Sequence, residues 1–141
     1  MGAGQKRSDL RANARAKLDD AILLLENRRY SSAYYLAGYA VEIGLKACIA
    51  AQISAETIPD KAFIKGVLNH QFKTLVGLAG LAGLLKDEEN NDQIFATNWA
   101  LAAQWEPDAR YDAIDPMSAQ LLVEAIANPT SGVLKWIKTH W

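Results

Sequence analysis

Apolar positions recur every three to four residues along most of the chain, and no stretch of useful length alternates with the period of two that a strand needs. Leu10, Ala14, Leu18, Ala21, Ile22 and Leu25 place a first helix between the start signal Ser8-Asp9 and Asn27. After Arg28-Arg29-Tyr30, Ser31 or Ser32 can cap a second helix that fades near Ser54, ahead of Pro59. A helical piece from about Pro59 to Val67 precedes Asn69-His70, and a leucine-rich segment then runs from Gln71 to Leu85. Within it Gly77, Gly80 and Gly83 recur every third residue. Each costs about 1 kcal/mol relative to alanine in a helix interior, which predicts that a neighbouring helix approaches closely there. The polar run Lys86 to Asp92 reads as a loop, and Ile94, Phe95, Asn98, Trp99, Ala102 and Trp105 as a helix ending before Pro107. Asp115-Pro116 and Asn128-Pro129 each set a capping side chain before a proline, predicting two C-terminal helical segments or one helix broken near 128–130. The expected fold class is all-α, an antiparallel four- to five-helix up-and-down bundle. With 141 residues, half of them hydrophobic, it should be a single domain over 1–141, with residues 1–8 a polar lead-in that need not be ordered.

The second helix is the most informative. Between Ser31 and Gln52 it carries only two charges, Glu42 and Lys46. At helical spacing Leu36, Ala40, Ile43, Ala47 and Ala50 form one apolar stripe, and Tyr34, Ala37, Val41, Leu45 and Cys48 a second. The remaining side presents Tyr35, Tyr39, Glu42 and Lys46, two phenols with a carboxylate and an ammonium. A charge on a mostly buried helix is costly unless paired, so Glu42 and Lys46 either pair with each other or face a cleft or partner chain.

Charge and cysteine content narrow the function classes. A net charge of -1 gives no global bias toward nucleic acid or membrane. Residues 1–30 hold seven Lys or Arg against four acids, a balance of +3, while residues 86–124 hold nine acids against Lys86 and Arg110, a balance of -7. The basic residues of the first helix are interleaved with Asp19, Asp20 and Glu26, which reads as a solvated face rather than an RNA track. Cys48 alone provides neither a disulfide nor a cysteine metal site and fits the core of a protein from a reducing compartment. Two histidines and scattered acids define no metal ligand set, so no metal and no cofactor are expected. The polar residues Met1 to Ser8 are followed by an amphipathic helix, not an apolar run, which predicts a cytoplasmic location, and the central charges of residues 33–51 argue against membrane insertion.

The order of three features carries a resemblance: Tyr30-Ser-Ser-Ala-Tyr-Tyr-Leu-Ala-Gly-Tyr-Ala-Val-Glu-Ile-Gly-Leu-Lys-Ala on the second helix, His70-Gln-Phe-Lys-Thr-Leu75, and Arg110-Tyr111. Together they resemble a HEPN-domain protein over nearly the whole chain, up to Trp136. The resemblance implies a small helical bundle that usually forms a homodimer, often encoded with a minimal nucleotidyltransferase as a toxin–antitoxin or stress-response pair. Many relatives are metal-independent endoribonucleases whose motif is an arginine followed four to six residues later by histidine. Here Arg110 is followed by Tyr111, Asp112, Ala113, Ile114, Asp115, Pro116 and Met117, with no histidine in the window. Lys65 to His70 and Lys135 to His140 have the separation, but lysine lacks the planar fork that grips phosphate at two points.

These readings lead to a homodimeric, non-catalytic module that works by pairing, with itself and with a nucleotidyltransferase partner, and that binds nucleotide or RNA in a cleft. The expected cleft residues are Tyr35, Tyr39, Glu42, Lys46, Arg110 and Tyr111, with Arg110 alternatively paired to Glu106 or Asp108. Trp99, Trp105, Trp136 and Trp141 are candidate interface anchors or core residues. An alternative is a non-standard endoribonuclease with Arg110 or Lys135 on the phosphate and His70 or His140 moving the proton. A third is a protein that holds a small anionic ligand without turnover. For His70 the plainest expectation is a helix-start side chain bonded to backbone, and for His140 a frayed, exposed position.

Overall fold

Helix α1 spans Arg7–Glu26 and α2 spans Tyr30–Gln52 in the computed structural model, which describes residues 6–53 and 60–141 apart from the Arg110 side chain. The two helices pack along each other as a hairpin, joined by a turn in which Arg29 N–H donates to Leu24 O at 2.8 Å and Arg28 N–H to Leu25 O at 3.1 Å. That bond pair closes a helix with a left-handed residue, and Arg28 takes that conformation at φ 61°. Neither N-terminus uses a serine. Ser8 lies inside α1, which begins after Lys6, and α2 begins after Arg29 with no side-chain cap. Ser31 Oγ instead accepts from Ile114 N–H at 3.0 Å, tying the start of α2 to a later loop.

α2 is the central rod. Its Ala33, Ala37, Ala40, Val41, Leu45 and Cys48 are all buried, and the small residues let other helices come close. A Cβ on Gly44 would sit 3.1 Å from Ile137 and 3.2 Å from Leu134, so the last helix packs tightly against it. Burial pushes the Cys48 thiol up to about 12, as befits a small core residue.

The middle of the chain is more broken than its apolar pattern suggests. α3 (Lys61–Val67) is capped by Asp60, whose carboxylate accepts from Phe63 N–H at 2.7 Å. The expected start at Pro59, and the question of order before residue 6, lie outside the described residues. α4 covers Phe72–Leu78 and stops because Gly80, at φ 72°, closes its end, with Gly80 N–H on Gly77 O and Leu81 N–H on Val76 O. The glycine triplet is therefore not a packing stripe: a Cβ on Gly77 or Gly83 would meet nothing within 4 Å. α5 (Ala82–Asn91) occupies the run expected to be a loop, because its charged residues are good helix formers on an exposed face. Asp92 ends α5 and caps α6 (Gln93–Ala103), accepting from Phe95 N–H at 3.0 Å.

A 3-10 turn at Pro107–Tyr111 follows α6. α7 (Pro116–Ala127) starts as its sequence predicts, with Pro116 in the first turn and Asp115 accepting from Ser118 N–H at 3.0 Å. Asn128 then organises a turn by accepting from Thr130 N–H and Ser131 N–H, both at 2.9 Å, so α8 begins at Val133, not at Pro129. α7 packs on α1, α2 and α6, and α8 on α2, α6 and α7. The result is all-α, with eight α-helices and no strand among the described residues. Trp99, Trp105 and Trp136 are buried in this core, which removes them from the candidate interface anchors.

Candidate ligand cleft along helix α2

The polar side of α2 lines a cleft of about 490 Å³. Its wall begins with Glu42, a carboxylate 3 % exposed in a helix that is otherwise apolar at that depth. Burying an unpaired carboxylate is prohibitive, so its partners matter. Lys46, one helical turn on, donates from Nζ to Glu42 Oε2 at 3.3 Å. His70, in the connection between α3 and α4, places Nδ1 2.8 Å from Glu42 Oε1. An ionised carboxylate can only accept, so Nδ1 carries the proton of this bond and Nε2 is left for other contacts. His70 is thus not a helix-start side chain bonded to backbone: Gln71 precedes α4, and the local backbone bond is Gln71 N–H to Asn69 Oδ1 at 2.7 Å.

Tyr39 and Tyr35 continue the wall one and two turns before Glu42, their rings stacked with centroids 5.8 Å apart. Burial, then the Glu42 charge and Tyr35, raise the Tyr39 phenol above its ordinary value, so it remains a neutral hydroxyl able to donate or accept. Trp105 closes the far side, 5.9 Å from Tyr35 and stacked on Phe72 at 5.5 Å. It lies flat on α2 only because residue 38 is glycine; a Cβ there would collide with its Cγ, Cδ1 and Nε1. Its indole nitrogen is buried without a hydrogen-bond partner. Leu10 and Asn13 of α1, Ile43 of α2, and Pro107 and Asp108 of the 3-10 turn complete the lining.

Of the residues singled out in the sequence, the structure gathers Tyr35, Tyr39, Glu42, Lys46 and His70. Tyr111 is 75 % exposed and does not line the cleft, although its turn supplies Pro107 and Asp108. Arg110 belongs to the same turn, and its side chain lies outside the described residues, as does its pairing with Glu106 or Asp108. Neither Lys–His pair is assembled in the α2 cleft, although Lys135 and His140 line a separate concavity together. Lys65 is exposed on α3, while Lys135 Nζ donates to Thr130 O at 3.2 Å. His140 packs edge-on against Trp136 at 5.0 Å, half-buried instead of frayed, and burial lowers its pKa. Asn13 and Pro107 carried no signal in the sequence, since both are common surface residues and only the tertiary fold aims them at α2.

The family model of the HEPN domain matches residues 8–140. The chain belongs to the HEPN domain family. No curated protein and no solved structure matched it. In this HEPN domain the cleft offers a lysine ammonium, a carboxylate-held imidazole and two phenol hydroxyls on one side, with an aromatic wall opposite. No group of three or more metal-ligating side chains occurs among the described residues. No helix among them is long and apolar enough to cross a membrane.

Proposed function

We propose that this HEPN domain is a non-catalytic pairing module whose α2 cleft holds a nucleotide or a segment of RNA. The observation that carries the reading is Glu42, buried and bonded at once to Lys46 and His70. The carboxylate fixes the Lys46 ammonium and the His70 imidazole at the cleft wall, and Lys46 keeps its remaining ammonium protons for an incoming phosphate, with His70 Nε2 left for a further contact. Tyr35 and Tyr39, partly exposed on the cleft wall, supply aromatic rings for a base to meet. The module acts as a homodimer and with a minimal nucleotidyltransferase in a toxin–antitoxin or stress-response pair. Exposed Leu23 of α1 and Met117 and Leu121 of α7, on helices that pack together, support a surface suited to pairing.

Thermal-shift titration of the full chain with mononucleotides and a short single-stranded RNA tests the cleft. A ligand at a hundred times its dissociation constant stabilises by about 2.7 kcal/mol, and Lys46→Ala should remove most of that gain. An unchanged melting temperature with every nucleotide and RNA would end the reading. Light scattering tests pairing, and a strict monomer at tens of micromolar would contradict it.

A second reading, a non-standard metal-independent endoribonuclease, is favoured by one contact. His70, with Nδ1 anchored on a buried carboxylate, keeps Nε2 for proton transfer, as a general acid–base group would. RNA cleavage lost on His70→Ala would support it, and intact RNA after incubation with the wild-type dimer would remove it.

A further inference from the structure

A second concavity, of about 290 Å³, lies between α5, the turn after α7 and α8, on side chains that the α2 cleft does not use. Its floor is apolar: Phe95 and Trp136, in contact at 5.5 Å, with the half-exposed Leu84 at its edge. Its rim is polar in an unusually one-sided way. Ser131 Oγ donates to Asp92 Oδ2 at 2.7 Å, Thr139 Oγ to the Trp136 carbonyl at 2.7 Å, and Thr130 Oγ to Asn128 Oδ1 at 3.0 Å. Each hydroxyl has spent its proton on the protein, so what remains for a ligand is lone pairs. Asp87 and Glu88 add two carboxylates.

The cationic side of the rim is weaker. Lys135 is exposed, directs its ammonium to the Thr130 carbonyl at 3.2 Å and interacts with the Asp92 carboxylate. His140 is the other basic side chain, and its burial disfavours the charged form, with the nearby Glu88 acting the other way. An acceptor-rich rim with net negative charge over an indole floor selects a donor with positive charge and apolar bulk.

We propose that this pocket binds a small organic ammonium ion, a primary amine on a compact apolar body, held by Asp87 and Glu88 over Phe95 and Trp136. The ammonium protons meet the carboxylates and hydroxyl lone pairs, and the hydrocarbon part covers the aromatic floor. The site is independent of the α2 cleft and of any nucleotide bound there.

The test is a titration of the full chain with phenethylammonium chloride at constant ionic strength, followed by amide resonances of Gly132 and Thr139 and by calorimetry. Its neutral isostere 2-phenylethanol serves as the comparison. Saturable shifts at both amides are expected, with affinity for the amine about fivefold or more above that for the alcohol. The double variant Asp87→Asn, Glu88→Gln should erase that preference while keeping wild-type helicity, because both side chains lie at the solvent-facing rim. Equal binding of amine and alcohol would overturn the proposal. So would the absence of saturable shifts at millimolar amine, or an amine affinity unchanged in the folded double variant.

Discussion

Replacing Gly38 with alanine sets two effects of opposite sign against each other. In a helix interior alanine is favoured over glycine by about 1 kcal/mol, so without tertiary contact the change would stabilise α2. At Gly38, however, the new Cβ would collide with the Trp105 pyrrole ring, and Trp105 is 4 % exposed, stacked on Phe72 and flanked by Tyr35. A ring held on three sides cannot swing clear. Overpacking a dense core costs about 1–3 kcal/mol, and a collision with three ring atoms belongs near the upper end, for a net loss of roughly 2 kcal/mol. For a domain of this size that lowers the melting temperature by roughly 6 °C. Gly77→Ala and Gly83→Ala are the internal controls, since a Cβ at either meets nothing within 4 Å and the helix preference should act alone. Each should raise stability by up to about 1 kcal/mol. Thermal and urea melts of the three variants decide the matter. If Gly38→Ala proved as stable as Gly77→Ala, Trp105 would not lie on α2, and the aromatic wall of the cleft would have to be redrawn.

Three other residues carry expectations of their own. Cys48, with its thiol pushed up to about 12 and aimed at the Ile137 carbonyl at 3.6 Å, should ignore a thiol reagent in the native state at pH 8 and react fully in denaturant. His140 should titrate by NMR with a midpoint below 6.5, because its burial disfavours the charged form. Its folded pKa is depressed, so the unfolded chain takes up the proton first; stability is fully present above 6.5 and falls as the pH drops toward the folded midpoint, a slope that His140→Phe should reduce. Arg28→Gly should stabilise the α1–α2 turn by about 1 kcal/mol in urea unfolding, since Arg28 occupies φ 61°, which costs a side chain but not glycine.

Much of this arrangement is legible in the residue order, and the exceptions have physical causes. The stripe Tyr35, Tyr39, Glu42, Lys46 identifies the cleft face of α2 because helical periodicity is local and a lone acid on an apolar rod demands a partner. Asp115-Pro116 announces α7 because both cap chemistry and proline geometry are local. The Glu42–His70 bond spans 28 residues and leaves no such mark; His70 reads as an ordinary helix-start residue until the fold brings the two together. Serines near the starts of α1 and α2 mislead because neither helix start uses a side-chain cap, and Ser31 is used by Ile114 instead. Lys86–Asp92 looks like a loop because α5 has no fully buried residue, so its helix has no apolar period to betray it.

Glu42 is buried and shared between Lys46 and His70, making one polar cluster of the cleft wall. A double-mutant cycle with Glu42→Ala, His70→Ala and the combined variant, read by urea unfolding, measures that sharing directly. His70 is half-exposed, which discounts the full value of a charge-assisted bond, and the account predicts a coupling of about 1 kcal/mol in favour of the pair. Losses that simply add, within about 0.3 kcal/mol, would contradict it.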